Sequence, residues 1–75
     1  MSEHVYRVTE LVGSSKESVE DAINGAIGRA SETLQGMDWF QVKEIRGTVS
    51  DGKVGYYQVT IGLGFRVMDH ADLKS

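Results

Sequence analysis

The stretch SDGKVGYYQVTIGLGFRVM, Ser50 to Met68, decides the fold. It opens with Asp51-Gly52, the two-residue signal for a tight hairpin turn. It then alternates without a break, and successive side chains of a strand point to opposite faces. Tyr57, Val59, Ile61, Leu63, Phe65 and Val67 fall on one face. Tyr56, Gln58, Thr60, Gly62, Gly64, Arg66 and Met68 fall on the other. The first set is a continuous apolar surface that must be buried; the second is polar or bare. A strand from about Val54 to Met68 therefore needs an apolar partner on one side only, and the turn requires another strand before it, from about Trp39 to Val49.

The apolar partner lies upstream. Val19, Ala22, Ile23, Ala26, Ile27, Ala30 and Leu34 form one stripe at helical spacing. Lys16, Glu20, Asp21, Asn24 and Glu32 lie off it, and Glu17, Glu20, Asp21 and Glu32 read as a solvated helix face. Ser14 and Glu17 have the spacing of a capping box, and Gly36 is placed to end the helix in a left-handed cap, so the pattern predicts a helix of about 22 residues. Gly25 and Gly28 sit inside it at a cost of about 1 kcal/mol each relative to alanine. They read as points of close approach to the sheet or to another helix. A GxxG clamp for RNA would need a loop between helices, and these glycines lie mid-helix beside acidic residues. Ahead of the helix, His4 to Val12 is rich in Val, Tyr and Thr and reads as a strand, broken by Gly13-Ser14-Ser15. The order is strand, helix, strand, strand, and the chain is one domain. The first strand sits beside the third, or parallel to the second across the helix.

One helix covers one face of a three-stranded sheet. The face with Tyr56, Gln58 and Arg66 and its two glycines has nothing left in the chain to cover it; water, a ligand or another subunit must do so. With 75 residues and no cysteine, the chain lacks disulfides and Cys-based metal sites, two common aids to small domains, and oligomerisation is the remaining one. The two histidines, His4 and His70, lie at opposite ends, so no metal site is expected within one chain. A net charge of −3 and a pI near 5.2 disfavour nucleic acid and anionic membrane as partners. No apolar run approaches the roughly 20 residues that span a bilayer, and MSEHVYRVTE is charged where a signal peptide is apolar. A soluble, cytoplasmic protein is expected.

No catalytic constellation emerges, and no enzyme activity is expected. The serines sit at loops and helix ends, where capping explains them. Gly62-Leu63-Gly64-Phe65-Arg66-Val67 begins like a dinucleotide fingerprint but lacks the third glycine and lies inside a strand. The segment Asp38-Trp39-Phe40-Gln41-Val42-Lys43-Glu44-Ile45-Arg46-Gly47 stands out instead. Trp39, the only tryptophan, sits at a helix–strand junction where a loop could present it, either as a packing residue or as a stacking platform for a flat ring. Arg46 and Arg66 can each bind a phosphate or stack on a ring, or be ordinary solvated arginines. Gln58 offers a donor and an acceptor on the uncovered face, which suits the edge of a heterocycle.

Taken together, these residues resemble the dodecins, small flavin-binding proteins. The resemblance runs from Tyr6 to Arg66. It is carried by Glu10-Leu11-Val12-Gly13-Ser14-Ser15, by Asp38-Trp39-Phe40 with Ile45-Arg46-Gly47, and by Tyr57-Gln58-Val59 with Gly64-Phe65-Arg66. It implies an α+β fold, β-α-β-β, with a three-stranded antiparallel sheet of order 1-3-2 packed on one long helix and partly wrapping it. It implies a hollow, tetrahedral homododecamer that stores or sequesters flavin and protects against its photochemistry. Flavin mononucleotide (FMN) is the expected cofactor, with riboflavin or FAD as variants. Coenzyme A is a further expected ligand, and a shell carrying such a cofactor with flavin secondary is the alternative function. By motif, Trp39 would sandwich the flavin ring between subunits related by a two-fold axis, Gln58 would bond its polar edge, and Arg46 and Arg66 would lie near the ring and phosphate. Gln41 departs from the family, where many members carry Glu, and the tail beyond Arg66 is longer than usual. Geometry adds a limit: Gln58 and Arg66 are about 27 Å apart along one strand, longer than FMN, so both touch one ligand only if they come from different subunits.

Overall fold

The computed structural model describes residues 4–67. The expected end of the third strand at Met68, the histidine at position 70 and the polar tail from Asp69 to Ser75 lie outside the described residues. The elements are β1 (Val5–Ser15), α1 (Val19–Ala30), β2 (Met37–Ser50) and β3 (Lys53–Val67). They form one three-stranded sheet of order β1-β3-β2, with both pairings antiparallel. The parallel alternative for the first and second strands does not occur. Asp51 and Gly52 both have positive φ, 54° and 74°, the left-handed pair that a two-residue turn of type I′ requires.

The alternation of β3 sorts its residues as expected. Val59, Ile61, Leu63 and Phe65 are buried with Ala22 and Ala30 in the core, and Leu11, Val19, Ile23, Ala26, Ile27, Leu34 and Met37 pack around them. Tyr57 is half-buried. Val67 lies past the reach of the helix and is 47% exposed.

The helix is shorter than its sequence pattern, at 12 residues. Ser14 and Glu17 form no capping box, because β1 continues through Gly13, Ser14 and Ser15, paired with Val59, Gln58 and Tyr57. Gly13 permits this crossing: a Cβ there would collide with the Ala22 carbonyl and press on Ala26. The cap is Ser18, whose hydroxyl accepts from the Asp21 amide at 2.9 Å. Ser15 supports the same turn, accepting from the Glu17 amide at 2.8 Å and donating to the Asp21 carboxylate at 2.6 Å. At the other end Ser31 is the C-cap. Gly36 does have positive φ, 85°, but it turns the chain into β2, where its carbonyl accepts from the Arg66 amide at 3.1 Å. Gly25 and Gly28 make no close approach among the described residues; a Cβ at either meets open space there.

Helix α1 packs on β1 and β3 and leaves β2 uncovered on the helix side. Phe40 pairs with Leu63 and Ile45 with Val59, so they share the inner face, yet they are 47% and 56% exposed. Between helix and β2 lies an open groove of about 220 Å³, lined by Ile27, Met37, Asp38, Trp39, Phe40 and Leu63. The protomer measures 56 × 21 × 13 Å, with a radius of gyration of 15.7 Å, against about 11 Å for a compact chain of this length. Such a flat, extended protomer with a bare apolar strand is expected to be stable only when another copy covers β2. Sedimentation at micromolar concentration should show assembly and no folded monomer, and Ile45→Asp should abolish assembly and folding together. A stable folded monomer of the unaltered chain would contradict this.

Candidate functional site on the open sheet face

Residues paired across an antiparallel ladder share a face. Trp39 pairs with Gly64 and Arg46 with Gln58, while Arg66 pairs with Tyr6. All four site residues expected from the sequence therefore lie on the face away from the helix. They do not form one cluster. Trp39 and Arg66 sit at one end of the sheet. Arg46 and Gln58 sit six residues away along β3, about 20 Å.

Trp39 and Arg46 are an odd number of positions apart, which in a regular strand would send them to opposite faces. Of two bulges in this half of β2, the one between them changes this. Met37 pairs with Phe65 but Trp39 with Gly64, so Asp38 is an extra residue; Val42 pairs with Ile61 but Glu44 with Thr60, so Lys43 is another. The bulge at Asp38 lets Met37 point into the core while Trp39 points outward. The bulge at Lys43 restores Arg46 to the face of Trp39. Trp39 is thus presented from inside a strand by a bulge, where the sequence suggested a junction loop. A third irregularity lies between Gly47 and Val49, where Thr48 accepts from the Tyr56 amide at 2.9 Å.

The two glycines of the open face, bare in the sequence reading, make room for side chains crossing β3. The Trp39 indole lies directly over Gly64, where any Cβ would overlap the ring. One side of the ring thus rests on backbone, and Trp39 is 40% exposed. From the opposite edge strand, Tyr6 meets it edge-on, with ring centroids 5.7 Å apart and planes at 60°. The Tyr6 hydroxyl donates to the Asp38 carboxylate at 3.0 Å. That bond, with some desolvation, raises the phenol above its ordinary pKa. The stabilisation is present throughout neutral pH and is lost only as pH climbs through the raised value. Over Gly62, Lys43 crosses to Glu10 at 3.0 Å. This pair is largely solvated and contributes little energy, but it ties the second bulge to β1. Sequence reasoning missed the tie of Tyr6 to Asp38 and that of Lys43 to Glu10; glycines at alternate positions of a central strand were the available signal.

Among the described residues no three His, Cys, Asp or Glu side chains come together to hold a metal ion, and no helix is long and apolar enough to cross a membrane. The glycine geometry predicts a graded result. Gly64→Ala should push Trp39 off the sheet at a cost of about 1–3 kcal/mol, with a red-shifted tryptophan emission and weakened near-UV circular dichroism. Gly62→Ala should be mild, since its Cβ would stand 3.1 Å from the flexible end of Lys43 and from a Val8 methyl. Equal effects of the two substitutions on Trp39 would contradict this geometry.

Comparison with known proteins agrees with the fold. A curated dodecin from Thermus thermophilus is 52% identical over 63 residues, covering 84% of this chain and 91% of the relative. The dodecin of Streptomyces coelicolor superposes with a TM-score of 0.82 at 49% identity, covering 92% of this chain and 99% of that one. Crystal structures of the Thermus dodecin include one with a tryptophan changed to phenylalanine and two with an arginine changed to alanine, at 48% identity and TM-score 0.82. A more distant structure is the calcium dodecin of Mycobacterium tuberculosis, described as having a novel calcium-binding site, at 27% identity and TM-score 0.72, covering 88% and 94% of the two chains. The sequence model of the dodecin family matches residues 5–68, which takes in the whole of the described sheet and helix, and the chain belongs to the dodecin family.

Proposed function

We propose that this protein binds flavin, with FMN as the favoured form, in a cytoplasmic homododecamer that stores, sequesters and photoprotects it, acting as a binding module without turnover. The observation that carries this reading is the setting of Trp39. Its indole rests on the Gly64 backbone and is partly open to solvent, on the same face as Arg46, Gln58 and Arg66. A ring seated on backbone and open outward is what stacking on a planar ligand needs. The split of the four residues into two clusters fits a ligand shared by protomers: Trp39 and Arg66 from one, Arg46 and Gln58 from another. Membership of the dodecin family supports the same reading. So does the Thermus relative, whose altered tryptophan and two arginines have the same mutual spacing as Trp39, Arg46 and Arg66.

In this reading Trp39 supplies the stacking surface, Gln58 bonds the polar edge of the ring, and the arginines neutralise phosphate charge. A bound flavin would bring redox and photochemical reactivity. Trp39, an oxidisable ring placed to touch it, would quench that reactivity by lending an electron and taking it back.

Stacked aromatic contacts with bases are worth about 1–3 kcal/mol, so Trp39→Ala should weaken FMN binding roughly 5- to 150-fold. The flavin that remains bound should fluoresce more brightly. Trp39→Phe should keep more affinity than Ala yet still lose quenching, since phenylalanine is much harder to oxidise. A fluorescence titration with oligomer size checked in parallel measures both. Intact oligomers with unchanged affinity and unchanged quenching after Trp39→Ala would end the proposal.

A further inference from the structure

The bulge that turns Trp39 outward is a weak point of the ladder, because an extra residue has no opposite number and locally interrupts the hydrogen bonding. The extra residue here is Asp38, and its carboxylate is caught by a side chain from the far edge of the sheet. Tyr6 reaches across β3 to donate its hydroxyl to Asp38 at 3.0 Å. The same phenol ring packs at a steep angle against the Trp39 indole, with ring centroids 5.7 Å apart. The crossing is possible only because the residue beneath Trp39 on the central strand is Gly64. One tyrosine therefore contacts both the bulge and the ring that the bulge presents.

We infer that Tyr6 is a positioning residue for the ring site. Its hydroxyl holds the Asp38 bulge and its ring holds the plane of Trp39, so the stacking surface is fixed before a ligand arrives. This rests on the reading of Trp39 as the stacking residue. Its physical basis is that ordering a side chain during folding removes that ordering cost from binding.

Tyr6→Phe tests the inference with little disturbance, since it keeps the ring and removes only the donor. Asp38→Ala removes the acceptor from the other side of the same bond. Trp39 is the only tryptophan, so its near-UV circular dichroism and fluorescence anisotropy in the flavin-free oligomer report its orientation directly. Both variants should weaken the dichroic signal, lower the anisotropy and reduce FMN affinity roughly 2- to 12-fold, the scale of one hydrogen bond. The double variant should be no weaker than the weaker single one, because both remove one contact. In a Trp39→Ala background, Tyr6→Phe should have no further effect on FMN affinity.

Wild-type tryptophan signals and wild-type affinity in Tyr6→Phe would overturn the inference. Loss of assembly in both variants would also overturn it, placing Tyr6 in an interface between copies. If Trp39→Ala bound FMN like the unaltered protein, the stacking reading would fall, and the tryptophan spectra of Tyr6→Phe would still decide whether Tyr6 fixes the ring.

Discussion

A helix of 12 residues is about 18 Å long, and the central strand it packs on, at 15 residues, is about 50 Å long. No arrangement of one such helix can cover the inner face of this sheet. α1 seals the middle of β3 and the adjoining part of β1, so that Val59, Ile61 and Leu63 are almost completely buried. Phe40, Val42 and Ile45 on β2 keep their apolar side chains in solvent, and at the hairpin end Val49 is 80% exposed. Isolated surface hydrophobes need no explanation, but three on one face of one strand do. In a chain without cysteine, the mismatch of lengths makes homo-oligomerisation, the habit of the family, a physical requirement of this protomer.

The outer face obeys a different constraint. There β3 carries glycine at two alternate positions, and the space above it is taken by side chains from both neighbouring strands. Trp39 and Tyr6 meet over Gly64, and Lys43 and Glu10 meet over Gly62. The bulged residues of β2 are the ones tied across, Asp38 to Tyr6 and Lys43 to Glu10. These ties hold the two phase changes, one that turns Trp39 outward after Met37 and one that brings Arg46 to the same face as Trp39. The candidate binding surface is thus a property of three strands, although its named residues come from two.

How much of this was legible in the sequence follows from which signals are periodic. The alternation from Tyr57 to Phe65 and the stripe from Val19 to Leu34 report burial directly, so the core and the elements could be read. The helix ends could not. Ser14 with Glu17 and Ser18 with Asp21 offer the same spacing, and the choice was made by the close crossing of Gly13 over Ala22. Bulges are invisible to a reading that assumes an unbroken period of two, so Trp39 was placed at a helix–strand junction where a loop could present it. The four site residues came from resemblance to a family; spacing alone left each with an ordinary alternative. The glycines hid the crossing contacts because a residue without a side chain carries no pattern of its own.

The central claim is that the two clusters on the open face converge on one flavin only across protomers. A crystal structure of the assembled protein saturated with FMN tests it most directly. The account predicts each flavin ring stacked on Trp39, with the Arg46–Gln58 cluster that touches it belonging to a different protomer. A flavin held by a single chain, or one lodged against Ile27, Phe40 and Leu63 with its ring not stacked on Trp39, would contradict it.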